Sequence, residues 1–416
     1  MWCHAGYPLK DIVLINPSSK EILRNAGDRL PLGLLYLGAS LKENGYNVKI
    51  RDLDHIDIED LKDELNDYMP DIVGVSAYTS PLYKQTIELG KMLKGKTRTI
   101  VGGYHASAMP ESLTDYFDCV ITGYAEKSII NVIKNGLEGI VNSTLLSNPQ
   151  DMNKILHPDR SLVDMKLYNF KQDGRPATTM LTSRGCYNNC VFCGNMNHKM
   201  RYHSEDFVID EIKEVKTQGF NDIYFYDDAF ISNKKRTFSL LEKIGKENIH
   251  YRITTRAESI TPDIAKLLKN TGCSWVSLGI ESGDDNILKA VGKNMTTEDN
   301  YNAIKYLSKE GIKTKGFFMF GLPNESKESA MKTIDFANKL KSGGLTTADF
   351  YIMIPFPGTP IWNNPEKYEV EIIDYDYNKY LEAGILPHKA FHKTKYMNNK
   401  EIEDMRNLAE EIWRQE

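Results

Sequence analysis

Residues 178–195 read TTMLTSRGCYNNCVFCGN. An apolar, β-branched run ends in Ser, and three cysteines follow at once: Cys186, Cys190 and Cys193, in the spacing C-x3-C-x2-C. A run such as TTMLTS reads as a buried strand. The chain has six cysteines, and three of them crowd into this one loop. That is a metal site in a reducing compartment rather than a disulfide framework. Thiolates so closely spaced let one loop wrap a single iron–sulfur cluster. No fourth cysteine lies nearby, so a four-iron cubane held here keeps one iron open to an exogenous ligand. Zinc is the alternative; it wants four ligands, and His198 or His203 would have to supply the fourth.

Outward from this loop, a β/α alternation continues to residue 356. Strands are expected at DIYFYD (222–227), YRITT (251–255), WVSLGIE (275–281), TKGFFMFG (314–321) and ADFYIMIPF (348–356), with helical spacing at 207–218, 234–247, 262–271, 297–310 and 326–340. Six β units separated by helices predict a partial (β/α)6 barrel over residues 176–362, with ligands at the carboxyl ends of its strands. Before the loop, DIVLIN (Asp11–Asn16), YNVKI (46–50), DIVGVSA (71–77), TRTIVGG (97–103) and DCVITG (118–123) alternate with helical patterns at 33–44, 58–66, 81–93, 110–116 and 126–135. That order implies an α/β domain over residues 1–140, a doubly wound, Rossmann-like parallel sheet, because parallel strands need crossovers. Its ligand also belongs beyond the strands' carboxyl ends. Residues 141–175, with NPQD and HPDR, have no clean period and read as a linker. Residues 363–416 form a C-terminal extension with a helical tail at 397–415. We expect this extension to close the substrate side of the barrel, and its deletion to impair turnover while sparing cluster assembly.

The composition suits a two-domain globular enzyme: 416 residues, 41% hydrophobic, 26% charged, net charge −5. Without a basic excess a broad nucleic-acid surface is not expected, and residues 199–201 offer only a local patch. No apolar run approaches the length of a membrane span, and MWCHAGYPLKD lacks an apolar signal core. The expectation is a cytoplasmic enzyme.

The C-x3-C-x-F-C motif after the first strand of a six-unit barrel resembles the radical S-adenosylmethionine (SAM) superfamily. The remaining motifs resemble its cobalamin-binding branch over nearly the whole chain. The resemblance implies a 4Fe–4S cluster on Cys186, Cys190 and Cys193, whose open iron chelates the amino and carboxylate groups of SAM. Reductive cleavage then gives methionine and a 5′-deoxyadenosyl radical. It also implies SAM contacts from Phe192 in the motif and from Asp227 and Asp228 in YFYDDAF. Arg256 of TTRAES, as a forked carboxylate clamp, and Glu281 and Ser282 of LGIESGDD complete that set. Each has a plainer alternative: the acid pair caps the next helix, Arg256 makes a surface ion pair, and Glu281 and Ser282 start a helix. FFMFGLPNES and PFPGTPIW complete the barrel pattern and shape backbone near the cofactor.

For the first domain the resemblance implies cobalamin, held by segments at the strand ends: Ser18 in NPSS, Leu32 and Gly33 in GDRLPLGLLYLG, Ser76, Tyr78 and Thr79 in SAYTS, Gly102, Gly103 and His105 in GGYHAS, and Gly123, Tyr124 and Glu126 in TGYAE. Small residues there let backbone approach a large ligand. Without the resemblance this is a generic nucleotide-type sheet. The D-x-H-x-x-G loop that supplies a histidine to cobalt in many cobalamin proteins is absent, since Asp54-His55 lacks its spacing. His105 is read as loop structure or a peripheral contact, and Tyr78 and Leu32 as candidates for the lower face of cobalt. Cys119 and Cys273 read as small core hydrophobes and Cys3 is uninformative. The second cluster of methylthiolating relatives is therefore not expected.

The function this implies is a cobalamin-dependent radical SAM C-methyltransferase acting on an unactivated carbon of a small molecule, natural product or peptide. Methylcobalamin would supply the methyl group in a cavity between sheet and barrel mouth. A second SAM would restore it, giving S-adenosylhomocysteine, and flavodoxin or ferredoxin would supply electrons. Rival readings are a cyclase or rearrangement enzyme using the same cofactors, as in tetrapyrrole ring formation, and a non-catalytic corrinoid or redox sensor that binds without cleaving SAM.

Overall fold

β1 (Asp11–Asn16) is buried on both faces, as an interior strand of a parallel sheet must be. In the computed structural model, which describes residues 11–20, 26–143, 152, 154–194, 199–377, 379–380 and 389–415, it pairs in parallel with β2 (Asn47–Asp52) and β3 (Ile72–Ser76). β4 (Arg98–Gly102), β5 (Cys119–Thr122) and β6 (Gly139–Asn142) extend the sheet, all parallel, in the order β2-β1-β3-β4-β5-β6. Helices α1 (Leu32–Glu43), α2 (Ile58–Asp67), α3 (Tyr83–Leu93), α4 (Tyr104–Ala108) and α5 (Ser128–Asn135) make the crossovers. Alternate residues serve two cores: Ile12, Leu14 and Ile72 pack with Leu35, Leu41 and Val132, while Val13, Ile15 and Val73 pack with Leu61, Leu65 and Leu89. The connection reverses direction between β1 and β3, and a crevice at such a switch point is where doubly wound sheets bind ligands.

Two expectations fail in this region. β6 begins before the stretch read as linker and runs into it; as a mostly exposed edge strand it has no apolar alternation to betray it. The helix expected at 110–116 is instead α4, followed by a single 3-10 turn at Pro110–Leu113.

The chain divides into two compact units, Met1–Asn169 and Phe170–Glu416. The second opens with β7 (Lys171–Gln172), antiparallel to β8 (Arg175–Met180). β9 (Ser183–Arg184) and β10 (Arg201–Tyr202) form a small antiparallel pair that brackets the cysteine loop. β11 (Asp222–Phe225), β12 (His250–Thr255), β13 (Cys273–Glu281), β14 (Lys313–Phe320) and β15 (Thr347–Ile352) follow β8 in one curled sheet, six parallel strands in sequence order. This is the partial barrel expected from the sequence. Helices α6 (Glu205–Thr217), α7 (Lys234–Gly245), α8 (Pro262–Asn270), α9 (Asp285–Ala290), α10 (Thr297–Lys309) and α11 (Lys327–Ser342) connect them. Side chains of Ser204, Asn233, Thr261, Thr296 and Ser326 cap five of these helices. In β14 burial alternates: Phe318 and Phe320 enter the core under the helices, while Lys315, Phe317 and Met319 stay half-buried on the inner face.

After β15 come α12 (Pro360–Asn363), the antiparallel pair β16 (Val370–Ile372) and β17 (His392–Thr394), and α13 (Asn399–Gln415). The extension is more than a cover. Ile402, Met405 and Ala409 of α13 belong to the barrel core, and buried Arg406 donates from Nε to the Phe350 carbonyl at 3.0 Å. Deletion would open that core, so the expectation that cluster assembly survives it is withdrawn. Among the described residues no helix is long and apolar enough to cross a membrane.

Candidate functional site

The cysteine loop hangs from the carboxyl end of β8 and is pinned at both ends. At its root, Asp227 accepts hydrogen bonds from Thr182 N (2.7 Å), Thr182 Oγ1 (2.5 Å) and Ser183 Oγ (2.7 Å). Asp227 is 2% exposed; burial raises its pKa, opposed by these hydrogen bonds and by Arg236. Its oxygens are thus occupied with the loop, not presented to a ligand. Exposed Asp228 accepts from Gly185 N at 3.2 Å. The far side is held by backbone: Val191 N donates to the Val291 carbonyl (3.0 Å), and Ile361 N to the Val191 carbonyl (3.2 Å). Gly292, at φ +72°, lets the chain after α9 pass there; a Cβ would stand 3.0 Å from the Asn189 carbonyl. Phe192 packs, partly buried, against the apolar cluster that includes Val291, Leu322, Met353 and Ile361.

Charged groups collect around Cys190. Arg256 Nη1 donates to Cys190 Sγ at 3.9 Å, and its Nε to Glu258. Burial works against the guanidinium charge, but Glu258, Cys190 and Tyr187 raise its pKa on balance. Arg256 Nη2 and Glu258 Oε2 are buried and have no hydrogen-bond partner among the described residues. Glu281 stands in the left-handed region at φ +65°, just past a bulge in the β13–β14 register. Its Oε1 accepts from Lys293 Nζ at 2.6 Å, and Lys293 also donates to the Gly279 carbonyl at 2.5 Å. Burial raises the Cys190 thiol pKa, while Lys293 and Arg256 pull it down. Ser282 belongs elsewhere: fully buried, its hydroxyl meets Thr333 Oγ1 of α11 at 3.2 Å and accepts from Asp284 N at 3.1 Å. The structure therefore gathers Cys186, Cys190, Arg256 and Glu281 and leaves Ser282 in the packing. It adds Lys293, Glu258 and Gly292, for which the sequence carries no signal beyond a lysine and a glycine in loops.

The donor set fits a cluster with SAM better than zinc. Among the described residues no three Cys, His, Asp or Glu side chains converge on one point, as a mononuclear zinc site requires. A cubane offers each thiolate a different iron, so its ligands need not converge. His198 lies outside the described residues, and His203 is buried with its ring stacked on Phe207 at 4.1 Å. The orphaned Arg256 Nη2 is the donor a SAM carboxylate would need. The local basic patch dissolves too, because Arg201 is buried. Cys119 and Cys273 are buried core thiols, that of Cys119 pushed up by burial to about 11; Cys3 lies outside the described residues.

In the first unit, the strand ends form a polar edge. Ser18 Oγ (3.0 Å), Ser19 N (2.6 Å) and Ser19 Oγ (2.7 Å) donate to Asp54, and Tyr168 OH to Asp52 at 3.0 Å. Burial, with Asp54 and Asp52 beside it, raises the Tyr78 pKa and keeps the phenol neutral, against a hydrogen bond with Ser19. Gly103, at φ +113°, would put a Cβ 2.8 Å from the Ala77 carbonyl, so only glycine lets the β3 and β4 ends meet this closely. Gly33 is the opposite case: it is exposed in the first turn of α1 and a Cβ there meets nothing within 4 Å. No packing among the described residues calls for it, and a bare helix face beside Leu32 suits a broad, flat ligand. Ser76 and Gly102 are paired at the ends of β3 and β4, and Thr79 leads into the turn at Ser80–Leu82. Gly123 N donates to Ser107 Oγ at 2.8 Å, the Tyr124 carbonyl accepts from Ser143, and the Glu126 carbonyl accepts from Ser40 Oγ at 2.5 Å. His105 faces inward: fully buried, its Nδ1 meets Ser80 Oγ at 2.9 Å and its Nε2 Ser112 Oγ at 3.2 Å. Burial depresses its pKa to about 4. Both ring nitrogens are engaged within the loop. His55, edge-on to Tyr168 at 4.6 Å, fills the space beside Gly27.

Comparison with known proteins bears on both units. Residues 180–337 match the Radical SAM superfamily, and residues 22–133 match the B12 binding domain. An uncharacterized methyltransferase of Pyrococcus horikoshii is 32% identical over 384 residues, covering 85% of this chain and 82% of its own. The chain belongs to the cobalamin-binding radical SAM family. Its cofactors are accordingly a 4Fe–4S cluster, SAM and cobalamin, and it is a radical SAM enzyme that needs an electron donor. The anaerobic magnesium-protoporphyrin IX monomethyl ester cyclase of Cereibacter sphaeroides is 26% identical over 85% of this chain, which spans 63% of the cyclase's length. The structure of the cobalamin-dependent SAM radical enzyme OxsB with aqua-cobalamin bound shares the fold, with a TM-score of 0.75 at 20% identity, covering 97% of this chain and 66% of that one.

Proposed function

We propose that this radical SAM enzyme methylates a carbon atom of a small molecule, natural product or peptide. The observation that carries this reading is the joining of a cysteine-loop barrel and a B12-type sheet in one chain, 32% identical over most of its length to a protein named as a methyltransferase. When bound, the three cofactors supply a 5′-deoxyadenosyl radical and a transferable methyl group. The chain's own residues bind and orient. Cys186, Cys190 and Cys193 hold the cluster on a loop fixed by Asp227 and Val191. Arg256 holds the SAM carboxylate through its free Nη2, and Lys293 keeps the Glu281 carboxylate turned into the site. Gly33, Leu32, Tyr78, Gly102 and Gly103 shape the face on which cobalamin lies, with Ser18, Ser76, Thr79, Gly123, Tyr124 and Glu126 along its edge. Flavodoxin or ferredoxin supplies electrons in the cytoplasm.

The test needs no substrate. The protein is reconstituted anaerobically with iron, sulfide and hydroxocobalamin, reduced, and given SAM. S-Adenosylhomocysteine accompanied by the methylcobalamin spectrum supports methyl transfer. 5′-Deoxyadenosine formed without S-adenosylhomocysteine would favour the ring-forming or rearranging reading instead, and binding without SAM cleavage would favour a sensor.

A further inference from the structure

The inner face of the curled sheet carries Arg252 on β12, Lys313 and Lys315 on β14, and Arg256 just past the end of β12. Three have carboxylate partners: Arg256 with Glu258, Lys313 with Asp173 at 2.8 Å and Lys315 with Asp349 at 2.6 Å. Arg252 has none among the described residues. Its guanidinium lies over the Tyr224 ring at 4.7 Å and the Trp275 ring at 5.8 Å. Its Nε and Nη2 donate to the one neutral oxygen of Ser277, at 3.3 and 2.8 Å, and its Nη1 is not engaged. A half-buried arginine held flat by aromatic faces, with one N–H edge free, is prepared for an oxyanion.

Its place in the barrel says what else that anion must carry. Arg256, the residue after β12, continues in extended backbone the face that carries Arg252, four residues or about 13 Å further along. Between them stands Thr254, whose Oγ1 meets Tyr224 OH at 2.9 Å; across the sheet Phe317, in register with Gly279, reaches the level of Arg256, and Tyr351 stands two residues further along, the two rings 6.0 Å apart. Tyr351 donates to Asp349 at 2.9 Å. Burial, then Asp349, Glu281 and Tyr224 raise its pKa, and it lies half-buried on the same inner face as Phe317. The inner face thus carries Tyr224, Phe317 and Tyr351, with Arg252 toward the amino ends of the strands and Arg256 and Glu281 at their carboxyl ends.

We propose that Arg252 anchors the substrate: it receives the carboxylate or phosphate of an elongated small molecule whose apolar body lies along Tyr224, Phe317 and Tyr351, so that the reacting carbon reaches the level of Arg256 and Glu281. Calling this ligand the substrate rests on the methyl-transfer reading; the oxyanion site itself does not.

The experiment uses reconstituted holoenzyme at constant ionic strength, with phenyl phosphate, benzoate and neutral benzyl alcohol as probes in equilibrium dialysis. We expect saturable binding of at least one anion, one per chain, and none of the alcohol. Preference for phenyl phosphate would assign a phosphate-bearing substrate, and preference for benzoate a carboxylate. Arg252→Gln should weaken binding about tenfold or more, while Arg252→Lys, which keeps the charge but loses the fork, should restore part of it; SAM affinity and iron content should not change. Phenylglyoxal modification of the wild-type holoenzyme gives a readout free of folding effects: the bound anion should slow modification of Arg252, and SAM should not. Non-saturable binding, saturable binding that survives Arg252→Gln, or an Arg252 modification rate indifferent to the anion would overturn the proposal. Because S-adenosylhomocysteine formation is measured without these probes, that result would leave methyl transfer standing.

Discussion

Asp227 and Arg256 show how a residue's partners decide its work. Both are acids or bases just past strand ends, and sequence alone marks them equally as ligand contacts. Asp227 spends its oxygens on Thr182 and Ser183, whereas Arg256 keeps Nη2 free. Asp227→Asn should therefore loosen the root of the cysteine loop, lowering iron content and costing about 1–3 kcal/mol of stability; iron counts with thermal unfolding check this. Unchanged iron and stability would mean that the loop is fixed elsewhere. Arg256→Ala should instead weaken SAM binding by about 1–3 kcal/mol, read by equilibrium dialysis, with SAM cleavage reduced accordingly. That Arg256 would stand beside the cysteine loop was legible, because spacing and position after a strand carry that much on their own. Lys293 and Glu258 were not, because their pairing depends on a bulge in β13 and a short turn after β12 that only tertiary contacts set.

At the scale of elements, the barrel strands were readable because each alternates a helix-facing apolar side chain with a lumen-facing one, and the sheet's interior strands because they are solidly apolar. Edge strand β6, α4 and the β16–β17 pair have neither pattern. The last of these joins the barrel through two buried titratable groups around Gly321. Glu325 accepts from Gly321 N at 2.5 Å, and His392 Nε2 meets the Gly321 carbonyl at 2.7 Å. Burial raises the Glu325 pKa from 4.5 to about 8. The folded carboxyl stays protonated while the unfolded one ionises, so stability is greatest below about pH 4.5 on this account. It then falls as pH rises to about 8. Glu325→Gln keeps an acceptor for Gly321 N and removes that slope. Its gain in unfolding free energy over the wild type should grow between pH 5 and 8, as denaturant titrations at several pH values would reveal. His392 works in the opposite sense. Burial depresses its pKa to about 4, so its neutral form supports the fold above about pH 6.5 and that support is lost as pH falls toward 4.

Over the whole molecule, two glycines in the B12-type sheet separate what the fold needs from what a ligand needs. Gly103 is demanded by backbone, since a Cβ at φ +113° would collide with the Ala77 carbonyl. Gly33 is demanded by nothing among the described residues, and in a helix it costs about 1 kcal/mol relative to alanine. Its exposed face at the ligand end of a parallel sheet makes Gly33 the place to test for a large cofactor lying against α1. Gly33→Leu should accordingly leave thermal stability unchanged or slightly higher and cut cobalamin retention after desalting, with iron still near four per chain. Cys190→Ala should do the reverse, lowering iron and abolishing 5′-deoxyadenosine while cobalt remains. Metal counts on the two variants, taken together, test the assignment of each cofactor to its unit. Full cobalt in Gly33→Leu would move the corrinoid off the face of α1, and full iron in Cys190→Ala would remove that thiol from the cluster's ligands.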